Sequence, residues 1–71
     1  MQKTADPKVV GNRLRALRGC RTRTGTAREI GISYSMLTKC EYGLRIPGED
    51  IRKKIADYYG VSVKSIFYAQ E

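Results

Sequence analysis

The stretch TRTGTAREI (22–30), GIS (31–33) and YSMLTKCEYG (34–43) decides the fold. It reads as two short helices joined by a tight turn. Thr22 or Thr24 caps the first, which runs to Glu29 or Ile30 with Ala27 and Ile30 on its inward side. Gly25 lies inside it at a cost of about 1 kcal/mol relative to Ala, so this helix depends on its neighbours. Gly31 closes it, because glycine enters the left-handed region without strain. Ser33 caps the second helix, 34–42. Ile32, Met36, Leu37 and Cys40 form its buried side. Tyr34, Ser35, Thr38 and Lys39 form its outer side, with Ser33 at the tip. Ala27 is small enough to let the two helices cross closely, and Ile32 and Leu37 pin the second to a core. The N-terminal half of that helix is thereby left to project.

Outward from this stretch the pattern stays helical. Asp6-Pro7 starts a helix, with Asp at the cap and Pro at the first position. Val10, Leu14 and Leu17 make its apolar stripe, Asn12, Arg13 and Arg15 face outward, and Gly19 ends it. Gly43 ends the third helix, and residues 44–48 form a loop. Glu49 and Asp50 open a fourth helix, where the helix dipole favours anions. Its stripe is Ile51, Ile55 and Tyr59, with Ala56 or Tyr58 beside them, and Gly60 stops it. Ser62 caps a short fifth helix with Val63, Ile66 and Phe67 inward. Residues 1–6 are expected as a loose tail, and 69–71 are expected to fray. The fold class is therefore all-α with five helices, and 71 residues allow one domain, 1–71, with its helical body over 9–67.

Charge narrows the function. Lys and Arg number 14 against 7 Asp and Glu, a net charge of +7. Residues 1–45 hold ten of the cations against Asp6, Glu29 and Glu41, while residues 46–71 hold four of each sign. A one-sided, arginine-rich surplus is the footprint of a polyanion binder, since guanidinium suits bidentate contact with phosphate or guanine. The two cysteines, Cys20 and Cys40, come without a histidine and cannot complete a zinc site, so no metal or cofactor is expected. Free thiols, with Cys40 a small core residue, fit a reducing compartment. No apolar run approaches the roughly 18 residues of a membrane helix, and no signal core opens the chain, which reads as cytoplasmic. Catalysis lacks its parts: there is no His, no base beside either Cys and no phosphate-binding glycine loop.

A wider set of residues resembles the phage repressor and Cro type of helix-turn-helix domain, the XRE-like family. The matching positions are Leu17-Arg18, Thr22 with Ala27, Gly31-Ile32-Ser33, Leu37, Glu41, Gly43, Arg45, Pro47, Ile55-Ala56-Asp57, and Gly60-Val61-Ser62 through Ile66-Phe67. Their order and separations carry the resemblance over about residues 9–67. It implies a bacterial, phage or mobile-element source and a third helix that lies in the DNA major groove. It implies base reading by Ser33, Tyr34, Ser35, Thr38 and Lys39. It implies phosphate contact by Arg23 at the start of the second helix and by Tyr42, Leu44 and Arg45 after the third; Arg21 and Thr22, which flank the motif, are further phosphate candidates. It also implies a structural Arg18–Glu41 pair, and it makes Tyr68 a candidate dimer contact at the C-terminal helix. The chain departs from the family in a connection between the first two helices about two residues shorter, in Thr26 where a large aliphatic is usual, and in Tyr42 where Asn is usual.

These residues together describe a sequence-specific double-stranded DNA-binding regulator, a repressor, with an operator that is palindromic if the chain dimerises. No membrane partner or small-molecule ligand is expected. The alternative is a protein-interaction module, antirepressor-like or antitoxin-like, that keeps the fold and turns its basic face to an acidic protein. A nonspecific nucleic-acid binder would show affinity without sequence preference.

Overall fold

The computed structural model describes residues 3–69, and within them the helices form where the caps fall. They are α1 (Pro7–Arg18), α2 (Arg23–Ile30), α3 (Tyr34–Glu41), α4 (Glu49–Tyr59) and α5 (Val63–Phe67). Each start but one is tied by a side chain. Asp6 accepts from the Lys8 amide at 2.8 Å. Thr22 (rather than Thr24), Ser33 and Ser62 accept from the amides of Gly25, Met36 and Ser65 at 3.1, 3.0 and 3.1 Å. Such caps satisfy amide donors that the helix itself leaves without partners. The exception, α4, begins at Gly48 and instead carries Glu49 and Asp50 in its first turn.

The third helix stops one residue earlier than expected. Tyr42 is its cap residue, and Gly43 follows in the left-handed region at φ 74°. The Leu44 amide reaches back to the Lys39 carbonyl at 2.9 Å and the Gly43 amide to that of Cys40 at 3.3 Å. These two bonds close a Schellman turn, which glycine alone enters without a Cβ penalty.

Val10 and Leu14 of α1, Leu37 and Cys40 of α3, Ile55 and Ala56 of α4, and Ile66 and Phe67 of α5 are buried, as are Ala27 and Ile30 of α2. The α1 helix crosses α3 at Gly11. A Cβ there would stand 2.9 Å from the Glu41 carbonyl carbon and 3.1 Å from the Cys40 oxygen, so only glycine permits this approach.

Three expectations fail at the chain ends and on α1. Residues 3–5 are not a loose tail. Thr4 pairs with Tyr68 in an isolated antiparallel bridge, the Ala5 amide donates to the Phe67 carbonyl at 2.9 Å, and Ala5 is buried. Ala69 likewise is not frayed, since its amide donates to the Lys3 carbonyl at 2.8 Å; residues 1–2 and 70–71 lie outside the described residues. Arg13 and Arg15 do not simply face outward. Arg13 donates to the carbonyls of Ile66 and Tyr68 at 3.0 and 2.9 Å. Arg15 donates to the Glu41 carbonyl and to Asn12. In both cases a long side chain satisfies carbonyls at the end of another helix, which the helix geometry itself leaves open.

Candidate nucleic-acid interface

The turn between α2 and α3 holds the two helices at one fixed angle. Gly31, at φ 92°, caps α2, and both its amide and that of Ile32 donate to the Ala27 carbonyl at 2.9 and 3.0 Å. Leu37 is fully buried, with Ile32 and Met36 half-buried beside it. The α3 helix therefore cannot roll, and the residues on its other side are fixed in direction. Ser33, Tyr34, Ser35 and Lys39 are exposed, Tyr34 at 51%.

Behind α3 lies a buried carboxylate. Glu41 is fully buried, and its two oxygens accept from different arginines: Arg18 Nε at 2.8 Å and Arg23 Nε at 3.0 Å. A charge out of water is tolerable only when paired and hydrogen-bonded, and here both oxygens are engaged. The cluster joins the end of α1, the start of α2 and the end of α3. It carries two cations and one anion, so a net positive charge remains. Arg23 also donates to the Tyr42 hydroxyl at 2.9 Å, and its guanidinium lies 4.9 Å from the Tyr42 ring centre. Glu41, and then Tyr34 and Tyr42, hold the Arg23 guanidinium above its ordinary pKa.

The remaining predicted positions divide. Arg21, Thr22, Tyr42, Leu44 and Arg45 are exposed and flank the projecting end of α3. Thr38 is different: it is only half-exposed, and its hydroxyl is buried without a partner. Tyr34, Thr38 and Tyr42 form one i, i+4, i+8 row, and Arg23 of α2 bonds Tyr42 at its end, so Thr38 lies on the edge of α3 nearest α2. Leu44 is 75% exposed but has no donor to offer, because its amide is spent on Lys39 and its side chain is apolar. Tyr68 is clasped within its own chain. Its hydroxyl accepts from Arg52 at 3.2 Å, and Arg52 lies 5.8 Å from the ring centre.

A helix-turn-helix family model matches residues 14–66. The chain belongs to the helix-turn-helix family of the phage repressor and Cro type. No curated protein and no solved structure matched. Members of this family are DNA-binding regulatory domains, and double-stranded DNA is the partner that membership implies. Among the described residues of this helix-turn-helix domain, no helix is long and apolar enough to cross a membrane. Both cysteines are free; burial pushes the Cys40 thiol pKa up, while Cys20 is exposed.

Gly11, Arg13, Arg15 and Arg52 position this helix-turn-helix without any local signal that marks them. Arg13 and Arg15 act on partners far away in the chain, Arg52 bonds the nearby Pro47 carbonyl at 2.8 Å as well as the distant Tyr68 hydroxyl, and Gly11 acts by the close approach of another backbone.

Proposed function

We propose that this protein is a sequence-specific transcriptional repressor that reads operator DNA with α3 in the major groove. The single observation that carries this reading is the projecting edge Ser33, Tyr34, Ser35 and Lys39 on a helix whose opposite side is buried. Serine hydroxyls can donate to or accept from base edges, Lys39 suits guanine or phosphate, and the Tyr34 ring suits a thymine methyl. Thr38 adds carbon surface at the inner edge. Arg21, Thr22 and Arg23 at the start of α2, with Arg45 past α3, fix the register on the phosphates, which supplies affinity through counterion release, and Tyr42 lies against Arg23 at that contact. Leu44 borders that contact without a donor. Occupying a promoter-proximal site would exclude polymerase. Two copies on one palindrome would place their recognition helices about 34 Å apart.

Selection of bound duplexes from a random library at near-physiological salt tests the proposal. Enrichment of inverted half-sites about one helical turn apart supports a dimeric sequence-specific regulator. A single enriched half-site supports a monomer or a partner subunit. Binding without enrichment reduces the function to nonspecific coating, and no binding moves it to an interaction module for an acidic protein.

A further inference from the structure

We infer that Arg23 and Tyr42 act as one phosphate-holding unit, in which Arg23 makes the contact and Tyr42 is the residue that positions it. The inference rests on the DNA-binding reading of this face. The amides of Tyr42, Gly43 and Leu44 donate to the carbonyls of Thr38, Cys40 and Lys39 at 3.0, 3.3 and 2.9 Å. All three are consumed in finishing the helix, so none of these three residues has a backbone donor for a phosphate. A contact from residues 42–44 must come from side chains.

Arg23 is built for that contact. Its Nε–H points to Glu41 at 3.0 Å, and one terminal N–H points to the Tyr42 hydroxyl at 2.9 Å. A guanidinium carries five N–H donors in a planar fork, so these two bonds fix its plane without exhausting it. The Arg23 side chain is 25% exposed, whereas Glu41 is 0% exposed. The carboxylate therefore holds the inner edge of the fork, and the outer edge faces solvent. Arg18 shares the same carboxylate, so the single negative charge does not cancel the two positive ones.

Tyr42 supplies the second constraint. It is 53% exposed, and its ring lies 4.9 Å from the Arg23 guanidinium centre. Stacking on an aromatic face limits the rotation of a long cationic side chain, which lowers the entropy lost on binding. The family's usual Asn at this position has no ring to stack on. Arginine at 23 and tyrosine at 42 thus make sense as a pair.

A salt series tests the assignment, because counterion release counts the cations that touch phosphate. The probe is a fluorescein-labelled mixed-sequence duplex, with binding followed by anisotropy for the full chain and its variants Arg23→Gln, Tyr42→Phe, Tyr42→Leu and Arg23→Gln/Tyr42→Leu. Arg23→Gln should lower the slope of log affinity on log salt by about 0.9, the value of one phosphate contact. Tyr42→Leu should weaken binding and reproduce most of that fall in slope, although it removes no charge; Tyr42→Phe, which keeps the ring, should fall between. The double variant should be no weaker than Arg23→Gln alone, the mark of two residues acting as one. Tyr42→Leu with weaker binding at an unchanged slope, or losses that add in the double variant, would overturn the inference and make Tyr42 an independent contact. An unchanged slope for Arg23→Gln would overturn it as well. A wild-type chain that binds no duplex would refute the DNA-binding reading itself, a separate outcome. Melting midpoints confirm that each variant is folded.

Discussion

Replacing Glu41 by Ala should be among the most damaging single changes in this chain. The side chain is fully buried, and it is the common acceptor for Arg18 at 2.8 Å and Arg23 at 3.0 Å. Removing one partner of a buried ion pair costs about 3–5 kcal/mol, because the other is left uncompensated. Arg18 and Arg23 are 15% and 25% exposed, so each can turn partly toward water. That relief places the cost at the lower end, about 3 kcal/mol. For a domain of this size each kcal/mol moves the melting midpoint by about 4–8 °C, so the midpoint should fall by about 12–24 °C. Circular dichroism melts at neutral pH measure it. Glu41→Gln keeps the volume and one acceptor oxygen and should lose less. A triple variant with Arg18→Met, Arg23→Met and Glu41→Leu should recover much of the loss, since an apolar cluster of similar volume leaves no buried charge. A Glu41→Ala midpoint within about 2 °C of wild type, below the shift for 1 kcal/mol, would show that the cluster does not join the three helices.

Four further outcomes follow from the same coordinates. Gly11→Ala should lower the midpoint by about 10 °C, because overpacking against the Glu41 backbone outweighs the roughly 1 kcal/mol gain in helix propensity; a raised midpoint would refute the close crossing. Thr26→Val should stabilise by about 1 kcal/mol, since the buried Thr26 hydroxyl has no partner and Val keeps its shape; a loss in chemical denaturation would show that the hydroxyl is satisfied. Burial, reinforced by Glu41, pushes the Tyr59 phenol up to about 12 from 10.0, so the folded state keeps a proton that the unfolded chain releases, and stability present below pH 10 is lost as pH rises toward 12. Tyr59→Phe should flatten that decline in alkaline melts, and an unaltered decline would assign it elsewhere. With Arg21, Arg23, Lys39 and Arg45 as the phosphate-facing cations, log affinity for duplex DNA should fall with log salt at a slope near −3.6 per protomer; a slope near −6 would mean that further cations reach the backbone.

Local rules carried the helix ends in the sequence. Thr22, Ser33 and Ser62 stand where a cap must stand, and Gly31 and Gly60 sit in the left-handed region at φ 92° and 70°. Each of these features acts within four residues of itself, so its consequence is visible in the residues beside it. The exposed edge of α3 was legible for the same reason: once Leu37 and Cys40 are known to face inward, the helix period places Ser35 and Lys39 outward. It misplaced Thr38, because an edge position is decided by the neighbouring helix and not by the period. What stayed hidden was always long-range. Gly11 reads as a propensity defect until α3 is laid across it. Arg13 has its acceptors 53 and 55 residues away, and the pairing of Ala5 with Phe67 joins the two ends of the chain.

The distribution of arginine contacts changes what the net charge means. A surplus of +7 invites the inference that every cation is held out toward a polyanion. Instead, Arg18 is committed to Glu41, Arg15 to the carbonyl end of α3, and Arg13 and Arg52 to the C-terminal segment. These four neutralise a carboxylate or satisfy carbonyls, and their geometry is set before any DNA arrives. They fix the angle between α1 and α3 and hold α5 against the body, which is what keeps the α3 edge at one orientation. Arg23 belongs to both groups, because its inner edge completes the buried cluster while its outer edge faces solvent. Scaffold and surface charge are therefore coupled at that one side chain: a change that releases Arg23 from Glu41 disturbs the scaffold and the solvent-facing charge together. A change at Arg45, which is exposed and outside the cluster, touches only the latter, whereas the Arg21 guanidinium also lies 5.6 Å from the Tyr58 ring centre of α4.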